Sequence, residues 1–191
     1  DVETGPQKTA LRYTAKDSEL RNDMIAVMRW NSPLREFMMS AGLYLAKAAG
    51  EIRLVSNDSH QQPELDYHLL DHPYDLERMR AGVRMQIELG KHSAYKGILK
   101  EVKDPLPEDL ESDETLDKWL LSRAQTMHHI SCTARMGAAD DPMAVTNQYG
   151  QVHGIEGLRI ADLSIMPDCP RANTNSPAMM IGERIADFMS R

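Results

Sequence analysis

The sequence predicts an α+β chain, with strands early, two helices in the middle and a final third dense in turn and capping residues. Three observations carry that reading. "EIRLVSND" (51–58) alternates apolar and polar residues as it leaves a turn at "KAAG", the pattern of a half-buried strand. Leu76, Met79, Val83 and Ile87 recur at the spacing of one helix face. "PRANTNSPAMMIGERIADFMSR" (170–191) opens on capping residues and continues as an apolar stripe, the layout of a capped amphipathic helix.

Along the chain, "MIAVMRW" (24–30) and "GLYLAKAA" (42–49) fit helix or strand equally by periodicity. Both are assigned to strands, because a sheet gives the Ile52 and Leu54 strand a partner. A helix comes next in "YDLERMRAGVRMQIELGKH" (74–92), with Asp75 to cap its start and Gly90 to end it. "LKEVKDPLPEDLESDE" (99–114) turns acidic and proline-bearing and reads as a surface loop. Ser112 caps the next helix, whose first turn holds Asp113 and Glu114 and whose apolar side holds Leu116, Trp119 and Leu120. "MGAADDPMAVTNQYGQVHG" (136–154) is a turn-rich connector with His153 as a loop histidine. A turn at Gly154 to Gly157 then leads into "LRIAD" (158–162), read as a buried strand closed by Asp162. In the last helix Asn173, Thr174, Asn175 and Ser176 are capping types and Pro177 suits the first helical position. Its apolar face is Met180, Ile181, Ile185 and Phe188.

Composition narrows the class. A chain of 191 residues, 41% apolar and 27% charged, is an ordinary globular protein of one large domain or two small ones. No apolar run reaches the roughly 18 residues that suggest a membrane span. The start, "DVETGPQKTALRYTAKD", lacks the basic-then-apolar pattern of an export signal, so a cytoplasmic location is expected. A formal charge of −7 argues against nucleic-acid and anionic-lipid partners. Cys132 and Cys169, with no second pair, read as reduced thiols, and no metal site is expected. The 13 methionines suit gap-filling in a core or along an apolar substrate cavity.

The stretch "TMHHISCTARMG" (126–137) sets His128 beside His129, and the chain downstream decides between them. The order His129, then Arg135, Met136 and Gly137, then "DDPMAVTNQYGQVHGIEGLRIADLSIMP" and "ANTNSPAMMIGERIAD", strongly resembles the C-terminal part of the glucose–methanol–choline (GMC) oxidoreductases. These are flavoenzymes that oxidise alcohols with FAD. The likeness is tight from Met127 to Phe188 and looser over "GEIRLVSNDSHQQPELDYHLLDHPYDLERMRAGVRM" (50–85).

The resemblance implies a division of labour. Residues 1–125 are expected to form mainly a substrate-binding domain, an antiparallel sheet with helices. Residues 126–191 are expected to carry the catalytic histidine segment and the C-terminal elements of the FAD-binding domain of a larger α/β flavoenzyme. In that family a histidine stands seven residues before the methionine of the Met-Gly pair, which selects His129 over His128 as the catalytic residue. The second catalytic position falls in "N-T-N" and is assigned to Asn175. Flavin contacts are expected near Asp162 and Leu163 and at Asn173, Thr174, Asn175, Ser176 and Pro177. Cys132 stands where glycine is usual, so a side chain there would narrow the pocket.

The family's Rossmann unit opens with a G-x-G-x-x-G turn that holds the pyrophosphate, and this sequence contains no such pattern. The resemblance therefore implies a partner, an N-terminal FAD-binding fragment or subunit of the same enzyme. The chemistry expected is removal of an alcohol's proton by His129 and of its hydride by flavin, with Asn175 holding the oxygen. A primary, apolar or aryl alcohol is expected ahead of a sugar. Three other readings stay open: a lyase splitting cyanohydrins, a light-driven fatty-acid decarboxylase, and a non-catalytic subunit completing a partner's fold.

Overall fold

Central strands bury both faces, so they read as unbroken apolar runs. Met24, Ile25 and Ala26 are buried in succession and open the middle strand of a three-stranded meander. In the computed structural model, which describes residues 8–31 and 36–191, this sheet is β1 (Lys8–Tyr13), β2 (Met24–Asn31) and β3 (Glu36–Leu43). It is antiparallel throughout, in the order β1-β2-β3. Tyr13 pairs with Met24, and Met24 with Leu43. Part of the N-terminal stretch read for an export signal lies outside the described residues.

Two compact units divide the chain: Asp1–Gly50 with Tyr67–Gln125, and Glu51–Asp66 with Thr126–Arg191. The first holds the meander, α1 (Pro73–Gly90) and α2 (Asp113–Arg123). The second holds a short ribbon, β4 (Glu51–Arg53) with β5 (Glu64–Asp66), and α3 (Asn175–Met189). The ribbon, read from sequence with the first 125 residues, thus belongs to the same unit as α3.

In the first unit α1 lies so close to the sheet that a Cβ on Gly82 would sit 2.8 Å from Met24 Cε and 3.2 Å from the Tyr13 hydroxyl. Val83, Leu116 and Leu120 form the core between the helices, with Leu76, Met79, Ile87, Leu110 and Trp119 against them. Ser112 caps α2 as expected, its hydroxyl accepting from the Thr115 N–H at 3.1 Å.

A buried charge cluster fixes α1 to the ends of the strands. Arg78 is 1% exposed and donates to Asp23 at 3.1 Å, Asp75 at 2.7 Å, and the carbonyls of Tyr44 and Leu45 at 3.0 Å each. Asp75 in turn accepts from the N–H groups of Lys47 and Ala48. This explains two departures from expectation. Asp75 faces inward and does not cap α1; the cap is His72, whose Nδ1 accepts from the Tyr74 N–H at 3.1 Å. "GLYLAKAA" contributes only Gly42 and Leu43 to a strand, because Asp75 and Arg78 take the backbone groups of residues 44–48 that a ladder would pair.

Other expectations also change. The Ile52 strand pairs with β5 rather than with the meander, and it stops at Arg53, leaving Leu54 84% exposed. β1, which the alternation did not reveal, is the third strand of the sheet. The loop over 99–114 carries a 3-10 turn at Pro107–Leu110 that brings Leu110 to the core. "LRIAD" forms no strand: Leu158 is exposed, and only Arg159 makes a bridge, to Gln151.

Removing Arg78 strands two buried carboxylates, so Arg78→Met should cost about 3–5 kcal/mol in urea unfolding. Burial alone would raise the Asp23 pKa, but hydrogen bonds from Ser18, the Ala15 N–H and Arg78 outweigh it and hold the carboxyl below its ordinary 3.8. A depressed folded pKa gives stability that is complete above the unfolded value and lost as pH falls through the folded one. Asp23→Asn should therefore flatten the acid limb of stability below about pH 4, and an unchanged limb would show that other groups control it.

Candidate active site

The second unit is mostly loop, so its shape comes from backbone pairing outside regular elements. Three N–H groups of the segment after His129 donate to successive carbonyls of a 3-10 turn, Leu163–Ile165: Cys132 to Leu163 at 3.2 Å, Ala134 to Ser164 at 2.9 Å and Met136 to Ile165 at 2.8 Å. Asp162 caps that turn, accepting from the Ser164 N–H at 2.8 Å. Ile165, Ile181 and Ile185 form the buried core, and Met136, Ile160, Leu163 and Phe188 pack on it. Met180, expected on this apolar face, is 60% exposed.

Each residue of "RMG" has a separate task. Arg135 pairs with Asp141 at 2.7 Å, and Met136 packs, half-buried, on the core. Gly137 leaves room for Ala144, whose Cβ would be 2.9 Å from a Cβ placed there. His153 reaches the Gly137 carbonyl with Nε2 at 3.2 Å, a structural role for a loop histidine.

The two adjacent histidines part company. His128 adopts a positive φ of 62° and is exposed, and its N–H donates to Thr126 Oγ1 at 3.0 Å. His129 is half-buried and held at both ring nitrogens: Nδ1 lies 2.9 Å from Thr174 Oγ1, and Nε2 lies 3.2 Å from Asn173 Nδ2. An Asn173 amide donating to Nε2 would require the imidazole proton on Nδ1, where the Thr174 hydroxyl can accept a hydrogen bond from it. Nε2 would then accept from an exposed amide, and a substrate hydroxyl that displaced this amide would meet a nitrogen able to act as a general base.

Asn173 rather than Asn175 meets His129. Asn175 is the first residue of α3 and its side chain is exposed. Thr174 precedes it as the N-cap, and Pro177 is the third helical residue rather than the first. The sequence contained a signal for this, since "N-T-N" offers two asparagines, but their spacing alone does not say which one faces His129. Ser176 is exposed beside Asn175, and neither N–H receives a side-chain cap from Thr174. Among the described residues no group of His, Cys, Asp and Glu is arranged to hold a metal ion. Nor is any described helix long and apolar enough to cross a membrane.

Cys132 has a φ of 71°, the left-handed region that favours glycine. Burial pushes its thiol above the ordinary 9.0, the charges of Cys169 and Asp168 adding to this against the Ser131 hydrogen bond and Arg135. Cys169 is also a free thiol, with Sγ 4.0 Å from the His129 carbonyl. A left-handed residue with a side chain is strained by about 1–2 kcal/mol, partly offset by the entropy that glycine loses on folding. Cys132→Gly should therefore leave stability unchanged or raise it by up to about 1 kcal/mol. A clear loss in urea unfolding would mean that thiol packing outweighs backbone strain.

Comparison with known proteins places these residues among relatives. The family model described as GMC oxidoreductase matches residues 46–182. An oxygen-dependent choline dehydrogenase of Stenotrophomonas maltophilia (strain R551-3) is 37% identical over 156 residues, which are 80% of this chain and 27% of that protein. A 5-(hydroxymethyl)furfural oxidase of Methylovorus sp. (strain MP688) is 38% identical over 151 residues, 73% of this chain and 28% of its own. Among solved structures, a formate oxidase of Aspergillus oryzae RIB40, studied for FAD modification, superposes with a TM-score of 0.77 at 26% identity. That match covers 89% of this chain and 32% of the oxidase. The chain thus spans little more than a quarter of the length of these curated relatives.

Proposed function

The chain belongs to the GMC oxidoreductase family, and from that membership we propose that it is the catalytic C-terminal part of an FAD-dependent enzyme that oxidises an alcohol. The observation that carries this reading is the His129–Asn173 contact, a half-buried imidazole with Nε2 3.2 Å from an exposed amide. The choline dehydrogenase and hydroxymethylfurfural oxidase relatives, both named for alcohol substrates, support it.

Residues at the start of α3 fit the flavin. The N–H groups of Asn175 and Ser176 lack a side-chain cap, and the helix places partial positive charge there, so an electron-rich ring edge is stabilised. Asn173, Thr174, Asn175, Ser176 and Pro177, with Asp162 and Leu163, would form this end of the cofactor site. When bound, FAD supplies the hydride acceptor. The ADP end would be held by a Rossmann part outside this sequence, proposed as the N-terminal partner of the same enzyme.

His129 and Asn173 provide the acid–base half of the reaction. The substrate hydroxyl takes the position beside Nε2 and gives its proton to that nitrogen. The Asn173 amide, 3.2 Å from Nε2, would exchange that contact for one to the arriving oxygen and keep it in line. Negative charge that develops on the oxygen is stabilised by this amide and by the imidazolium that forms.

Reduction of the flavin by primary alcohols, followed by stopped-flow absorbance in the full-length enzyme, tests the proposal. His129→Ala should slow reduction on the order of 10²–10⁴-fold, the worth of a positioned base. Asn173→Ala should raise the barrier by about 1.5–3 kcal/mol, one hydrogen bond to a group that becomes charged, while Asn175→Ala costs less and Asn173→His retains more activity than Ala. If Asn175→Ala proved the more damaging of the two, the pair would be His129 with Asn175, as the sequence suggested. No bleaching by any alcohol would end the oxidoreductase reading.

A further inference from the structure

A threonine at a helix N-cap ordinarily turns its hydroxyl onto the N–H of the second or third helical residue, a contact worth about 1 kcal/mol. Thr174 occupies the N-cap of α3 and makes no such bond. Its backbone explains why. At φ −91° and ψ −1° it is already helical rather than extended, so its carbonyl accepts from the Ala178 N–H at 2.9 Å while its side chain is carried away from the helix end. The hydroxyl goes to His129 Nδ1 at 2.9 Å, in surroundings that leave Thr174 only 3% exposed. A cap has been forgone for a contact with the base.

We propose that Thr174 is the positioning residue for His129: its Oγ1 accepts the Nδ1 proton, fixes the tautomer and the plane of the ring, and so presents the Nε2 lone pair to the substrate hydroxyl. This rests on His129 acting as the base. Without the Thr174 hydroxyl a proton on Nδ1 would be unpaired in buried surroundings, and the ring would shift to the Nε2–H form with the Asn173 amide turned to offer its oxygen. An acceptor at Nδ1 therefore keeps Nε2 as the nitrogen that can take a proton. When the substrate proton arrives at Nε2, the resulting imidazolium keeps its Nδ1–H on Thr174, so the ring needs no rotation during the step. The branched Cβ of threonine holds Oγ1 in a narrow range of χ1, which a serine would fix less firmly. Asn173 is a candidate catalytic residue because it faces the reacting oxygen; the Thr174 hydroxyl acts on the reaction through His129.

The test uses the full-length, FAD-loaded enzyme, labelled with ¹⁵N-histidine, with the His129 signals assigned by comparison with His129→Gln. The wild type should show a neutral imidazole protonated at Nδ1. Thr174→Val, which keeps the shape and the branch, should show the Nε2–H form or a mixture. The same variant should reduce flavin about 10–100-fold more slowly, the cost found when a group that orients a histidine is removed. KM should change little, and thermal stability should stay close to wild type. Thr174→Ser should restore the Nδ1–H tautomer and most of the rate. An Nε2–H tautomer in the wild type, or an unchanged tautomer in Thr174→Val whatever happens to its rate, would overturn the proposal. The spectrum can be read without turnover. A wild-type enzyme that oxidises no alcohol therefore sinks the proposed function, while the tautomer still decides the role of Thr174.

Discussion

The second unit depends on three consecutive N–H to carbonyl bonds that lock residues 132–136 onto the turn Leu163–Ile165. Little regular secondary structure surrounds them, and with the His129 contacts to Asn173 and Thr174 they set the distance of the histidine loop from α3. Met136 lies at the end of this ladder and packs, half-buried, on the Ile165, Ile181 and Ile185 core. Both sides of the candidate site, the histidine and the helix start, are tied to one small hydrophobic cluster.

Much of this was legible in the residues. Capping and periodicity located α2, and periodicity located α1, because each signal is local: a serine before acidic residues, or an apolar face every third or fourth position. The spacing from the Met-Gly pair pointed to His129 over His128, and the two differ in burial and in ring contacts. The meander was harder, since β2 is buried on both faces at its start and so shows no alternation. Long-range captures stayed hidden. Asp75 looks like a helix cap until Arg78 and the backbone of residues 47 and 48 appear beside it. Nothing local announces that a side chain on α1 will consume the hydrogen bonds of a would-be strand.

The same limit accounts for the choice between Asn173 and Asn175. Two residues apart in a strand, they would share a face; at the mouth of a helix they do not. Thr174, with helical backbone angles, begins the turn one residue before Asn175. The chain rotates there, leaving Asn173 against the imidazole. A motif fixes residue types and spacing, but the backbone angle at its centre decides which of two like residues lies against the imidazole.

The placement of residues 51–66 with 126–191 has a consequence for how the chain can be divided. The polypeptide leaves the first unit at Gly50, returns to it at Tyr67 and leaves again at Gln125, so three covalent links join the two units. Neither is a contiguous piece of sequence. A cut after residue 125 would give one product carrying a ribbon whose own unit is gone and another lacking two of its strands. The second unit also cannot be completed in order of synthesis: its ribbon must wait while 59 residues of the first unit, Tyr67–Gln125, are made. Only Tyr67–Gln125 is inserted between the two parts of the second unit, so the ribbon and the loop bearing His129 are brought together across a stretch of chain that belongs to the other unit.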